Sequence, residues 1–338
     1  MSSVITSSTW IAHAWPSGAR AVSAGRLAAS VETPLVIEED GERTIRDRRS
    51  LVDRQAVRAL VTPLTTRVDA ETMAQWPRLA LIANCAAGYD NIDVEAAAAR
   101  GVQVAHTPGV LTDATADLAF LLLLAAARRL PEADALARGG AWQGFAMDLL
   151  LGAPVAGRTL GIIGMGRIGR AMAARARGFS MPVIYVGGAD ASSQRVTLAE
   201  LWQRADYISL HCRLTEDTRQ IVNAASLAQC KPGVIIINTA RGACIDEAAL
   251  IDALSRGQVA AAGLDVFAHE PSIPAPLRQH PRVVLAPHIG SATTNVRMEM
   301  LEMSARSVAA ALAGEPVPYL LPEMVVTMPP PTLVERRP

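Results

Sequence analysis

The sequence is short of several things, and each shortage excludes something. One lysine, Lys231, occurs in 338 residues; arginine supplies the rest of a positive charge that the acidic residues cancel, 32 against 32. A chain with no net charge lacks the basic footprint of a nucleic-acid partner or an anionic membrane surface. Cysteine is scarce as well. Cys85, Cys212, Cys230 and Cys244 stand far apart, with no C-x-x-C pair and no histidine at zinc-ligand spacing. That pattern argues against a metal site and for reduced thiols in a cytoplasmic protein. The longest apolar run, Leu118–Ala127, falls well short of the roughly 20 residues a membrane-spanning helix needs. No acidic residue precedes Glu32, which gives the N-terminus a faint likeness to a transit peptide. A first strand over Val4–Ile11 and a helix over Ala19–Ser30 is the preferred reading.

What is present is alternation. Half of the residues are apolar, and the length suits about two domains. In the first third, Pro34–Ile37, Ala59–Thr62 and Leu79–Ala83 read as buried strands separated by helical stretches. From 158 onward the strand–helix rhythm is regular, with six strands at 160–164, 182–187, 206–211, 233–238, 259–266 and 282–286. Such alternation implies α/β architecture, with parallel sheets covered by helices on both faces. Thr107-Pro108-Gly109 marks a hinge. A long helix follows, with Thr112 as its expected N-cap and Pro131 just beyond its end. Residues 139–157 are irregular and carry Trp142 and Phe145, an exposed arm suited to a subunit contact. A last helix, 293–313, has Thr293 or Thr294 as cap and Gly314 as stop. The proline-bearing tail after 320 lacks periodicity and reads as extended or disordered.

The chain is organised around residues 158–178. There Leu160, Ile162 and Ile163 lead into Gly164, Gly166 and Gly169, spaced G-x-G-x-x-G, and an alanine-rich helix follows. The three glycines do different things: they allow a tight turn, close approach of backbone N–H groups to a pyrophosphate, and close packing of helix on strand. A helix starting near Arg167 directs its positive end at that pyrophosphate. Strand before and helix after make this a dinucleotide site rather than a glycine-rich turn of structural origin.

Three strand ends in the same half carry polar residues that no core requires. They are Asn238-Thr239-Ala240-Arg241, Gly263-Leu264-Asp265 running on to Glu270, and Ala286-Pro287-His288. The set fits hydride transfer to a 2-keto acid. Arg241 can hold a carboxylate bidentately and polarise the ketone. His288 can protonate the nascent alkoxide, and Glu270 is the carboxylate that would favour its charged form. Asp265 has two open readings, a bond to the nicotinamide amide or one to a neighbouring backbone N–H. Strand-end arginines are often mere surface charges and lone histidines are more often structural; the coincidence of all three beyond a glycine fingerprint is what favours chemistry. His13, His106, His211, His269 and His280 read as structural.

At these residues the sequence resembles the D-2-hydroxyacid dehydrogenase family, most of all its glyoxylate/hydroxypyruvate reductase branch. The likeness runs from about 60 to 315. It includes Asn84-Cys-Ala-Ala-Gly88-Tyr-Asp-Asn-Ile-Asp93 and Thr107-Pro-Gly-Val-Leu-Thr-Asp-Ala-Thr-Ala-Asp117. The resemblance implies two doubly wound domains. A flavodoxin-like substrate domain would comprise 1–107 and 292–338, and a Rossmann domain 108–291, with catalysis in the cleft between them. It implies NADP or NAD held by Gly164, Gly166, Arg167, Ile168, Gly169, Gly187, Gly188, Thr239, Ala240, Arg241, Asp265, His288 and Gly290. It implies substrate contacts from Leu64, Ala87, Gly88, Arg241 and His288, no metal, and a homodimer through the 112–157 region. Two departures stand out. Gly187-Gly188 replace the acid or the Ser/Thr-Arg pair that reads the ribose; with Ser192, Ser193 and Arg195 close behind, NADP is favoured, while Asp190 keeps NAD open. Arg213 replaces a common proline near the cofactor. Ala87 in place of lysine disfavours phosphite oxidation, and Glu270 in place of glutamine disfavours formate oxidation. A reductase of small 2-keto acids is therefore expected. A reductase of larger keto acids such as an arylpyruvate, and a dinucleotide-sensing corepressor-like module, are the alternatives.

Overall fold

The computed structural model describes residues 36–37 and 57–325. The strand and helix expected over Val4–Ile11 and Ala19–Ser30 lie outside the described residues, as does the tail beyond Val325. The chain divides into two units, one comprising the described residues up to Val110 and from Thr293 onward, the other Leu111–Ala292.

In the first unit, β1 (Val36–Ile37), β2 (Ala59–Thr62), β3 (Leu81–Asn84) and β4 (Gln103–Ala105) form a parallel sheet with neighbours in chain order. Every residue of β2, β3 and β4 is buried, as a parallel sheet covered on both faces requires. Alternate side chains feed two cores. Leu60, Ile82 and Val104 meet Met73, Trp76, Ile92 and Leu321 on one side. Ala59, Val61, Leu81 and Ala83 meet Val308, Ala311 and Val317 on the other. Val308 and Ala311 belong to the helix Thr294–Ala313, so this late segment completes the early sheet. The helix stops at Gly314 as expected, in the left-handed conformation at φ 73°.

The second unit has seven parallel strands: β5 (Leu160–Met165), β6 (Val183–Gly188), β7 (Gln194–Arg195), β8 (Tyr207–Leu210), β9 (Val234–Asn238), β10 (Val259–Leu264) and β11 (Val283–Leu285). Their order is β7-β6-β5-β8-β9-β10-β11, the doubly wound arrangement, with its reversal between β5 and β8. Six of these strands match the sequence reading. The seventh, β7, is two exposed polar residues and carries no apolar signal to find it by. The helices Thr112–Ala127 and Arg167–Gly178 cover one face, burying Leu122, Leu123, Met172 and Ala176 against Ile162, Ile235 and Ile237.

Several expected boundaries are corrected. Thr112 is the first residue of its helix, not its cap; Leu111 holds that position and no side chain caps the end. Pro131 lies just past the end of that helix at Ala127, as expected, and also sits in the first turn of a second helix, Leu130–Arg138. Proline is tolerated there because the N–H it lacks would have no intrahelical partner. Thr293 is the N-cap residue of the helix Thr294–Ala313, yet its hydroxyl makes no capping bond. That helix is not the last, because a short one, Pro322–Val325, opens the tail expected to lack regular structure. Residues 139–157 are irregular as read, and Trp142, Phe145, Met147 and Leu151 are all more than half exposed.

Candidate active site

The glycine turn is built as its spacing demands. Gly164 has φ +98°, and a Cβ there would stand 2.5 Å from the Cys212 backbone nitrogen; only glycine lets β5 turn so close to the end of β8. Gly169 faces the Gly164 carbonyl so tightly that a Cβ would collide with it. At Gly166 the opposite holds: a Cβ would meet nothing within 4 Å. That open space lies at the N-cap of the helix Arg167–Gly178, which no side chain caps. Uncapped N–H groups at a positive helix end, beside a glycine facing open space, fit a dinucleotide pyrophosphate. Arg167 is exposed and Ile168 half-buried on the first turn.

The polar strand ends emerge at the carboxyl edge of the same sheet. After β9, the Asn238 side chain accepts from Ala240 N at 2.9 Å and donates to Arg241 O at 2.8 Å. This clamp shapes the Thr239-Ala240-Arg241 turn. Gly242 then lies directly on the backbone of Phe267 and Ala268, where any Cβ would collide. The Arg241 turn and the loop bearing Glu270 are thereby pressed together. Glu247 braces that loop from the side, accepting from Ala268 N at 2.9 Å.

His288 Nδ1 stands 2.7 Å from Glu270 Oε2, while Glu270 Oε1 accepts from Phe267 N at 3.0 Å. A carboxylate is an acceptor only, so Nδ1 carries a proton and Nε2 is the nitrogen left to act. Burial alone would raise the Glu270 carboxyl. The His288 hydrogen bond and charge, the Phe267 N–H and the Arg241 charge outweigh it, and the group sits below its ordinary value of 4.5. His288 itself adopts φ +53°, a conformation rare for residues other than glycine and frequent where function imposes it.

The Asp265 carboxylate bonds to neighbouring backbone N–H groups. The residue is 1% exposed, and its carboxylate accepts from Ile289 N at 2.7 Å and Gly290 N at 2.9 Å. It thus pins the chain just after His288, whose own N–H the Asp265 carbonyl holds at 2.8 Å. Burial raises its carboxyl above the usual range against the pull of those two N–H groups. The Thr115 hydroxyl donates to Gly290 O at 3.2 Å. The positioning roles of Asn238, Gly242, Glu247 and Thr115 are not legible in the sequence, because the contacts that give them a role form only in the folded chain.

Beyond β6, Gly187 and Gly188 have φ +73° and +87°, and a Cβ on Gly188 would stand 2.5 Å from Met165 O. The loop they open is self-contained. Asp190 accepts from the Ser193 hydroxyl at 2.6 Å and the Ser192 hydroxyl at 3.0 Å, with Arg177 3.6 Å away. Arg170 donates to Met165 O at 3.2 Å and Ala189 O at 3.4 Å. Arg213 is exposed on the loop after β8. His211, at the end of β8, packs its ring nitrogens against the Ser209 and Thr239 hydroxyls at 2.9 and 3.5 Å. Burial pushes it down to about 4, so it is neutral at pH 7.

In the first unit, Leu64 sits half-buried in the turn after β2, and Ala87 and Gly88 in the turn after β3. Two asparagines tie these turns together. Buried Asn84 donates to Gly88 O at 2.7 Å, and Asn91 donates to Thr66 O at 2.9 Å while meeting Asn84 Oδ1 at 3.3 Å.

A cradle for a pyrophosphate at the switch point, with an arginine and a carboxylate-paired histidine at neighbouring strand ends, sets the class: this is a nicotinamide-dinucleotide oxidoreductase. Comparison with known proteins agrees. Residues 120–290 match the model of the NAD binding domain of D-isomer specific 2-hydroxyacid dehydrogenases. The chain is 48% identical over 286 residues to a glyoxylate reductase of Thermococcus litoralis, spanning 81% of this chain and 86% of that one. Among solved structures it resembles a glyoxylate reductase from Paecilomyes thermophila, at 34% identity and a TM-score of 0.78, over 89% of this chain and 94% of that one. It also resembles an NADPH-dependent glyoxylate/hydroxypyruvate reductase from Sinorhizobium meliloti solved with NADP and malonate, at 34% identity and a TM-score of 0.75, over 81% and 88% of the two chains. The chain belongs to the D-isomer specific 2-hydroxyacid dehydrogenase family.

Proposed function

We infer that the protein reduces a small 2-keto acid, glyoxylate or hydroxypyruvate, to the D-2-hydroxy acid with NAD(P)H. The observation that carries this is the 2.7 Å bond between His288 Nδ1 and Glu270, in a loop pressed against the Arg241 turn. When bound, the nicotinamide supplies the hydride. Arg241 holds the substrate carboxylate and draws charge from the ketone. His288, its Nδ1–H fixed by Glu270, delivers the Nε2 proton to the oxygen that becomes the hydroxyl. Backbone N–H groups of Ala87 and Gly88 share the carboxylate, and Leu64 supplies apolar contact. Gly164, Gly166, Arg167, Ile168 and Gly169 hold the pyrophosphate. Thr239, Ala240 and Gly290 line the nicotinamide side, and Asp265 acts there by fixing the Ile289–Gly290 backbone.

NADPH is the preferred donor in this reading. Support comes from Gly187-Gly188, which present no carboxylate to repel a 2′-phosphate, and from Asp190, whose oxygens are engaged by Ser192 and Ser193. A homodimer through 112–157 is supported by the exposed Trp142, Phe145 and Met147. A cytoplasmic location is supported by four free cysteines; among the described residues no helix is long and apolar enough to cross a membrane.

The test is oxidation of NADPH and NADH, in parallel, with glyoxylate, hydroxypyruvate and phenylpyruvate. Fast turnover of a small keto acid with NADPH is expected, and His288→Ala should abolish it while cofactor binding persists. Silence on every pair with cofactor still bound would overturn the reductase reading in favour of a sensing role.

A further inference from the structure

The turn after β3 offers two backbone N–H groups, those of Ala87 and Gly88, and neither has a hydrogen-bond partner among the described residues. What aims them is visible on the other side of each peptide. In a trans peptide the C=O and the N–H of the next residue point in opposite directions. The Ala86 carbonyl accepts from Thr107 N at 2.9 Å, which turns the Ala87 N–H away. The Ala87 carbonyl meets His106 Nδ1 at 3.0 Å, which turns the Gly88 N–H the same way. The Gly88 carbonyl is held by Asn84 at 2.7 Å. Three successive carbonyls are thus tied back, two of them by the adjacent residues His106 and Thr107 that follow β4.

His106 is the side chain bonded to the Ala87–Gly88 peptide, and it must donate, because a carbonyl can only accept. Its ring is itself fixed: the Tyr89 ring meets it edge-on, with centroids 5.7 Å apart and planes at 88°, and the Tyr89 hydroxyl donates to Glu323 at 2.9 Å. A histidine anchored so and spending its Nδ1 proton on one carbonyl is over-specified for filling space. We propose that His106 is a positioning residue for substrate: it aims the Gly88 N–H at the carboxylate of the keto acid. The proposal rests on the reading of Ala87 and Gly88 as carboxylate donors.

The experiment compares His106→Phe, which keeps a ring against Tyr89 but removes the donor, with His106→Asn, whose side-chain NH2 stands at the same bond distance from the backbone as Nδ1. Three quantities are read for each: KM and kcat for glyoxylate, the Kd of NADPH, and the Kd of oxamate for the enzyme–NADPH complex by calorimetry. His106→Phe should raise KM for glyoxylate and Kd for oxamate about tenfold, the worth of one modest hydrogen bond, with kcat and NADPH affinity within twofold. His106→Asn should recover most of the loss. Equal KM in His106→Phe and wild type would overturn the proposal, and so would a parallel loss of NADPH affinity or no rescue by asparagine. Failure of both His106→Phe and His106→Leu to fold would make the residue structural and also overturn it. Wild type that binds oxamate but reduces no keto acid would sink the activity while leaving this role to the oxamate arm. Wild type that binds no oxamate would remove the carboxylate site and the role with it.

Discussion

Glu270→Gln tests the proton-delivery arrangement with the least change of shape. The carboxylate receives two donors, His288 Nδ1–H at 2.7 Å and Phe267 N–H at 3.0 Å, one on each oxygen. Glutamine offers one oxygen and one NH2. If its oxygen takes the Phe267 N–H, its NH2 faces His288 Nδ1 and selects the tautomer in which that nitrogen is an acceptor. The imidazole is then neutral, and its Nε2 proton is a far weaker general acid than that of the imidazolium. If the oxygen takes His288 instead, the Phe267 N–H meets the NH2 and a partly buried donor loses its partner. Either way one charge-assisted hydrogen bond goes, worth about 1.5–3 kcal/mol. Placed in the transition state, that predicts a fall in kcat between about tenfold and somewhat over a hundredfold. Steady-state oxidation of NADPH with glyoxylate measures it, with the Kd of NADPH as control, because Glu270 lies outside the glycine cradle. A kcat within twofold of wild type would refute the assigned role. So would a loss confined to cofactor affinity.

Other perturbations separate folding from binding. Gly166→Ala puts a methyl into open space at a φ of −81° that alanine accepts, so melting should be unchanged while NADPH affinity drops. Gly169→Ala drives a methyl into the Gly164 carbonyl and should cost roughly 1–3 kcal/mol of stability. Thermal melting plus cofactor titration checks both, and equal melting of the two variants would contradict the geometry. Stability should fall as pH is lowered from about 6.5 toward 4. Buried His211, pushed down to about 4, binds its proton more weakly folded than unfolded, so its unfolded form gains protons first. Glu270, held below 4.5, contributes stability that is present above 4.5 and lost as pH falls through its folded value. Urea midpoints at pH 7, 5.5 and 4.5 test this; a flat series would refute it. Phe145→Asp with Trp142→Asp should convert a dimer to a monomer by light scattering, and an unchanged mass would remove the arm from the interface.

Some parts of this molecule could be read directly because a local need dictates a residue type. Gly164, Gly166 and Gly169 sit together in one short turn between an apolar strand and an alanine-rich helix, so spacing and local context together carry it. Arg241 and His288 are polar where a strand has just ended, and no core asks for them there. Other determinants are invisible in the chain because their reasons appear only once it has folded. Gly242 is required by Phe267, Asn84 by Gly88 and Asn91 together, and Thr115 by Gly290. Thr112 misleads for a related reason: a cap propensity worth about 1 kcal/mol yields to the packing of the helix Thr112–Ala127 on its sheet, which buries nine of its residues. His106 joins both cases. As one histidine after a short strand it is indistinguishable from a core residue. Only when β3 and β4 lie side by side does its Nδ1 come to the Ala87 carbonyl. A site of this kind is thus specified twice, once in the residues that touch the ligand and once in the hydrogen bonds that aim them. The second set becomes legible only when the fold brings distant residues together.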